Sequence, residues 1–147
     1  MRILVDADAC PVKDDIIEIA APRFIKVILI ANFHHEMPRL PGVDVVEVDD
    51  TPDEADYKIS NMTRPGDIIV TNDTPLAALV LDKDARALSP RGHEYTRDNI
   101  ARLLDQRYRT LTALERGRRP RHRPKPFRPF DRDRFRKALI GMLEEKS

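Results

Sequence analysis

The sequence has no tryptophan, one cysteine and five glycines among 147 residues, and aromatic side chains make up only 5% of it. A lone Cys10 cannot form an internal disulfide, which excludes the cross-linked framework of a small oxidised domain and points to a reducing compartment. No apolar run approaches the roughly 20 residues that a membrane-crossing helix needs. The opening MRILVDADAC passes from one Arg straight into an apolar run and then into acids, unlike a signal peptide. A cytoplasmic protein with no membrane partner is expected. Charge is what the sequence does have: 35% charged residues against 41% hydrophobic ones, the balance of a globular domain with a heavily charged surface. The length suits one domain with a real core.

The net charge of +1 conceals a split. Residues 1–90 carry 9 Lys+Arg against 17 Asp+Glu, a net −8, whereas residues 91–147 carry 17 against 8, a net +9. Acidic machinery with a basic partner-holding surface would have this form, and so would an ordinary solvated tail.

Arg2–Asp6 reads as a short buried strand, since Ile3, Leu4 and Val5 are all apolar. Pro11 suits a helix start, and Val12, Ile16, Ile19 and Ala20 recur at helical spacing. Phe24–Ala31 and Val43–Val48 read as the second and third strands. The link between them, 32–42, has no strong helical period. A helix is expected over Asp53–Met62 with Ala55, Ile59 and Met62 as its stripe. The turn Arg64-Pro65-Gly66 then feeds a fourth strand, Asp67–Thr71. Pro75–Leu81 is the next helix and Ala85–Leu88 a fifth strand. Beyond Ser89-Pro90-Arg91-Gly92, Ile100, Leu103, Leu104, Tyr108 and Leu111 mark a longer helix. Residues 116–128 hold seven Lys+Arg, three prolines and no acid, which predicts an extended basic segment. A last helix over about Asp131–Glu145 carries Phe135, Leu139, Met142 and Leu143 on one face and is expected to dock on the domain. The expectation is a single domain over 1–147: an α/β core to 115, a basic linker over 116–130 and a docked helix over 131–145. Strands apolar on both faces, alternating with helices, point to a mainly parallel sheet covered on both sides, and the expectation is a doubly wound sheet with order 3-2-1-4-5.

In such a sheet the carboxyl ends of the strands face a common crevice. The first strand ends in Asp6-Ala7-Asp8 and the fourth in Thr71-Asn72-Asp73, and strands one and four are neighbours in this order. Two carboxylates about 4 Å apart repel by roughly 4 kcal/mol at an effective dielectric of 20. Either one takes up a proton or a cation bridges them. Oxygen-only ligands suit Mg²⁺ or Mn²⁺. The matching chemistry is metal-activated water attacking a phosphodiester. Asp56, one residue after the inward-facing Ala55, is the third candidate, and Asp53 lies close behind it. Each has a plainer reading as well: turn formation for Asp6 and Asp73, capping of the first helix for Asp8, an N-cap for Asp53 and a solvated helix face for Asp56.

The blocks Val5-Asp6-Ala7-Asp8-Ala9-Cys10-Pro11, Asp53-Glu54-Ala55-Asp56, Gly66-Asp67-Ile68-Ile69-Val70-Thr71-Asn72-Asp73-Thr74-Pro75-Leu76-Ala77 and Ser89-Pro90-Arg91-Gly92 occur in this order. Together they resemble the YaiI/YqxD family, a bacterial group with a PIN-like fold, and the likeness runs along nearly the whole chain. The resemblance implies a PIN-like three-layer sandwich with helices on both faces of the sheet. It also implies that Asp6, Asp56 and Asp73 hold metal for RNA cleavage, with Asp8 and Asn72 positioning water. In the usual PIN set one acid is often Glu and a fourth follows near the last strand. Here the helical acid is Asp, and Asp82 and Asp84 are poor substitutes for the fourth.

Two other readings stand beside it. Asp6-Ala7-Asp8 has the Asp-x-Asp spacing of a haloacid-dehalogenase-type phosphatase, and Gly66-Asp67 resembles that group's later signature, but here the pair precedes its strand. Alternatively, the basic 116–128 segment, with Phe127 and Phe130 nearby, suits an RNA-binding adaptor on a degenerate nuclease fold. Arg91 and Lys13 are candidate phosphate-holding residues. His34-His35 reads as a surface turn or a metal pair. Cys10 reads as a structural thiol or as a reactive one at a helix start.

Overall fold

The computed structural model describes residues 1–8, 10–32, 39–51, 53–118 and 125–145. Its centre is β1 (Arg2–Asp6), whose Ile3, Leu4 and Val5 are fully buried on both faces. β1 pairs in parallel with β2 (Lys26–Asn32) on one side and with β4 (Ile68–Val70) on the other. β3 (Val43–Val48) extends the sheet beyond β2, and β5 (Arg86–Leu88) extends it beyond β4, both in parallel. A two-residue strand β6 (Glu94–Tyr95) closes that edge antiparallel to β5, giving the order 3-2-1-4-5-6.

The helices sort by which side of the sheet their apolar stripes cover. Ile16, Ile19 and Ala20 of α1 (Lys13–Ala20) pack with Ile3, Val5 and Leu29 on one face. On the same face lie Phe135, Leu139 and Met142 of α5 (Pro129–Glu144). The other face carries Ile59 of α2 (Glu54–Met62) and Leu76, Ala77 and Val80 of α3 (Thr74–Leu81), packed on Leu4, Ile28, Ile30 and Ile69. Neighbours one apart on β1 thus serve opposite cores, as the two-residue period of a strand requires. Ile100 and Leu103 of α4 (Ile100–Glu115) lie against this second core.

Three details differ from the sequence reading. Phe24 is not in β2: a 3₁₀ turn over Ala21–Arg23 leaves it left-handed at φ 56° and 96% exposed. β6 was not expected, being too short to show a period. Tyr108 and Leu111 of α4 are exposed, because only the first turns of that helix reach the core.

Charge as well as apolar area fixes α5. Asp15 of α1 accepts from Arg132 and Arg136, each at 2.9 Å, and buried Asp131 accepts from Arg91 at 3.1 Å and Arg134 at 2.9 Å. Phe127 lies beneath the guanidinium groups of both Arg91 and Arg132. Gly92, at φ 87°, lies so close to α5 that a Cβ there would be 2.7 Å from the backbone at Arg134 and Phe135. His34-His35 and residues 119–124 of the basic segment lie outside the described residues. Among the described residues no helix is long and apolar enough to cross a membrane.

Candidate functional site

Parallel pairing brings the ends of β1 and β4 to one rim: Val5 is level with Val70, so Asp6 and Thr71 follow side by side. The Thr71 hydroxyl donates to Asp6 Oδ2 at 3.1 Å and accepts from the Asp73 backbone N–H at 3.0 Å. Thr71 itself is fixed by its N–H on the Leu88 carbonyl and by the Tyr95 hydroxyl, which donates to the Thr71 carbonyl at 3.1 Å. One threonine therefore sets the spacing of two of the three predicted acids. Burial pushes the Asp6 carboxyl above the usual range; the Thr71 hydroxyl opposes this, and the charges of Asp73 and Asp8 add to it.

Asp73 is the N-cap of α3, its Oδ1 accepting from the Leu76 N–H at 2.9 Å. Its carboxyl also shares a hydrogen bond with that of Asp56, in the first turn of α2. Asp56 is pushed up to about 7, first by desolvation, then by the charge and hydrogen bond of Asp73, then by Asp6 and Asp53. Carboxyls from β1, α2 and the start of α3 thus meet at the carboxyl end of the sheet. Capping and clustering are not alternatives for Asp73, which does both.

Asp8 does not cap α1, which begins at Lys13. Its Oδ2 accepts from the Asn32 N–H at 2.9 Å and ties the loop after β1 to the end of β2. The Asn32 side chain in turn donates to Asp50. Asp8, Asn32, Asp50, Asp53 and Asp56 line a small acidic cleft of about 130 Å³. Asp53 occupies the N-cap position of α2 without a side-chain cap bond, in a left-handed conformation at φ 68°. Asn72 is exposed and faces a different cleft, toward α4. Arg91 lines that second cleft too, although its guanidinium is engaged by Asp131 and by the Lys125 carbonyl. Lys13 opens α1, and burial pushes the Cys10 thiol up to about 11 against the nearby Lys13 charge. Asp84 lies at the other end of β5, bonded to Arg97.

Asp67 is 2% exposed and paired with Arg2 at 2.6 Å, at the amino ends of β1 and β4. It is thus at the opposite rim from Asp6, which removes the Gly-Asp feature from any phosphatase site. Two residues that position the acids, Thr71 and Tyr95, were not singled out from sequence. Thr71 was quoted only as the end of a strand, and the Tyr95 hydroxyl reaches the site through a strand with no periodic signal.

Among the described residues no three His, Cys, Asp or Glu side chains already surround a common point as a metal site would. The carboxyls are instead held by hydrogen bonds, with Asp56 pushed up to about 7. Their chemistry nonetheless fits a hard divalent cation. The donors are oxygens, and desolvation and mutual repulsion push Asp56 far above its usual range, so a cation would relieve that repulsion.

The family model described as "Uncharacterized BCR, YaiI/YqxD family" matches residues 4–145. A UPF0178 protein of Bacillus anthracis is 42% identical over 147 residues, covering 97% of this chain and 99% of the relative. A UPF0178 protein of Alkaliphilus metalliredigens is 40% identical over 145 residues, covering 99% of this chain and 93% of the relative. Among solved structures, a crystal structure of Rae1 (YacP) from Bacillus subtilis is similar at a TM-score of 0.46 and 21% identity, covering 80% of this chain and 89% of that one. The family match takes in every element that builds the acid cluster, from β1 through α5, and this chain belongs to the YaiI/YqxD family.

Proposed function

We propose that the protein is a metal-dependent nuclease that hydrolyses RNA phosphodiester bonds at Asp6, Asp56 and Asp73, on a PIN-like fold. What supports this reading is that carboxyls from β1, α2 and the start of α3 lie near enough at one rim of the sheet to raise Asp6 and to push Asp56 up to about 7. Asp6, Asp56 and Asp73 would hold Mg²⁺ or Mn²⁺. A bound ion of this kind lowers the pKa of water and neutralises charge on a phosphoryl group. The chain's own contribution is orientation. Thr71 keeps Asp6 and Asp73 at fixed spacing, and the cap bond to Leu76 fixes the Asp73 rotamer.

The test is Mn²⁺-dependent cleavage of a labelled RNA by the parent, Asp6→Asn and Asp73→Asn. Asn caps a helix as well as Asp does, so Asp73→Asn keeps the cap while losing the charge. Cleavage is expected to fall about 100-fold or more in both variants while their melting temperatures hold, and equal cleavage in all three would remove these residues from the reaction.

A further inference from the structure

The second cleft at this end of the sheet, about 600 Å³, begins at Asn72 and Thr74 on either side of Asp73. Its walls are the turn from Ser89 to Glu94 and the first two turns of α4, and Tyr95 contributes to its lining. The volume is that of a small-molecule site and exceeds what one nucleotide needs. Most charges around it are already matched. Arg86 grips Glu94 through two bonds of 3.0 Å, and Arg91 is bonded to Asp131. Arg102 is different: among the described residues it has no carboxylate partner. The side chains of Asn72, His93 and Gln106 likewise make no hydrogen bond within the described residues. A cation and three amide or imidazole groups therefore line a concave surface whose mouth adjoins the acid cluster.

We propose that this cleft holds the nucleotide next to the phosphodiester presented to Asp6, Asp56 and Asp73, with Arg102 on its phosphate and Asn72, His93 and Gln106 toward its sugar and base. The inference rests on the nuclease reading for the identity of the ligand. An unmatched guanidinium beside neutral donors and acceptors suits a singly charged phosphodiester with a polar base. Burial, with the charge of Arg134, pulls the His93 imidazole below its usual range, and a neutral imidazole offers one donor and one acceptor nitrogen. Arg91 keeps the Ser89–His93 wall in place through Asp131 and is a positioning residue rather than a contact.

The experiment measures binding of fluorescein-labelled hexauridylate to the full chain in EDTA, across a salt series. Arg102→Ala should weaken binding about fivefold to tenfold and reduce the salt slope by about one, and Arg102→Lys should restore the slope. Gln106→Ala should weaken binding by about twofold to fivefold, on the scale of one lost hydrogen bond. Arg109→Ala, on the same helix but paired with Asp105, should bind as the parent does. Equal affinity in Arg102→Ala and the parent, or no oligonucleotide binding by the parent, would overturn the assignment. The two readings fail separately. Cleavage that survives Asp73→Asn removes the acid cluster but leaves the cleft, whereas lost cleavage with unchanged Arg102→Ala binding removes the cleft alone.

Discussion

The unusual residue is Asp56, a partly exposed helical aspartate raised first by desolvation and then by Asp73 and Asp6. Its folded-state value of about 7 lies above the ordinary 3.8, so the folded chain binds more protons than the unfolded chain between those limits. Its contribution to stability therefore declines as pH rises from about 4 to about 7 and is flat above that. Melting temperature without divalent ions should fall across this range in the parent, and Asp56→Asn should fall less. Mn²⁺ should raise the parent's melting temperature at pH 8 more than at pH 5, since at pH 5 a proton competes for the same carboxyls. An equal rise at both values would show that the ion binds elsewhere. A second residue-scale prediction concerns Tyr95, whose hydroxyl reaches across to the Thr71 carbonyl. Tyr95→Phe should cost about 0.5–1.5 kcal/mol in urea denaturation, and it should lower cleavage at fixed Mn²⁺ without abolishing it, because the Thr71 hydroxyl still spaces Asp6 and Asp73.

Among the elements, α5 depends most on a few contacts. It shares one face of the sheet with α1, packing there through Phe135, Leu139 and Met142, and is clamped at its start by Asp131 and along its side by Asp15. Gly92 lets the turn after β5 lie against it. An alanine there meets both a left-handed backbone and two backbone atoms at 2.7 Å, so Gly92→Ala should destabilise by about 1–3 kcal/mol. Phe135→Ala should cost about 3–5 kcal/mol, since its side chain is fully buried. Urea denaturation measures both. A Gly92→Ala variant as stable as the parent would mean that α5 shifts without cost. The Ser89-Pro90-Arg91-Gly92 block thus has a packing role that its sequence does not disclose.

For the whole molecule, the doubly wound order places the carboxyl ends of β1 and β4 at the switch point, and the acid cluster lies there. Strand identities and the order of the first five strands could be read from the sequence as a doubly wound arrangement. Ile3-Leu4-Val5 and Ile68-Ile69-Val70 are unbroken apolar runs that suit buried parallel strands, the first followed at once by Asp6 and the second, after Thr71-Asn72, by Asp73. Periodicity and end position are local properties, carried by neighbours in the chain, so the sequence alone determined them. What it could not determine is which side chains satisfy one another across more than 20 residues. Thr71 between Asp6 and Asp73, Asp8 turned to Asn32 rather than to α1, Arg91 bonded to Asp131 and Gly92 beneath α5 are all pairings of that kind. A hydrogen bond or a close approach depends on ångström distances between elements. Those distances exist only after both cores have packed and fixed each helix against the sheet.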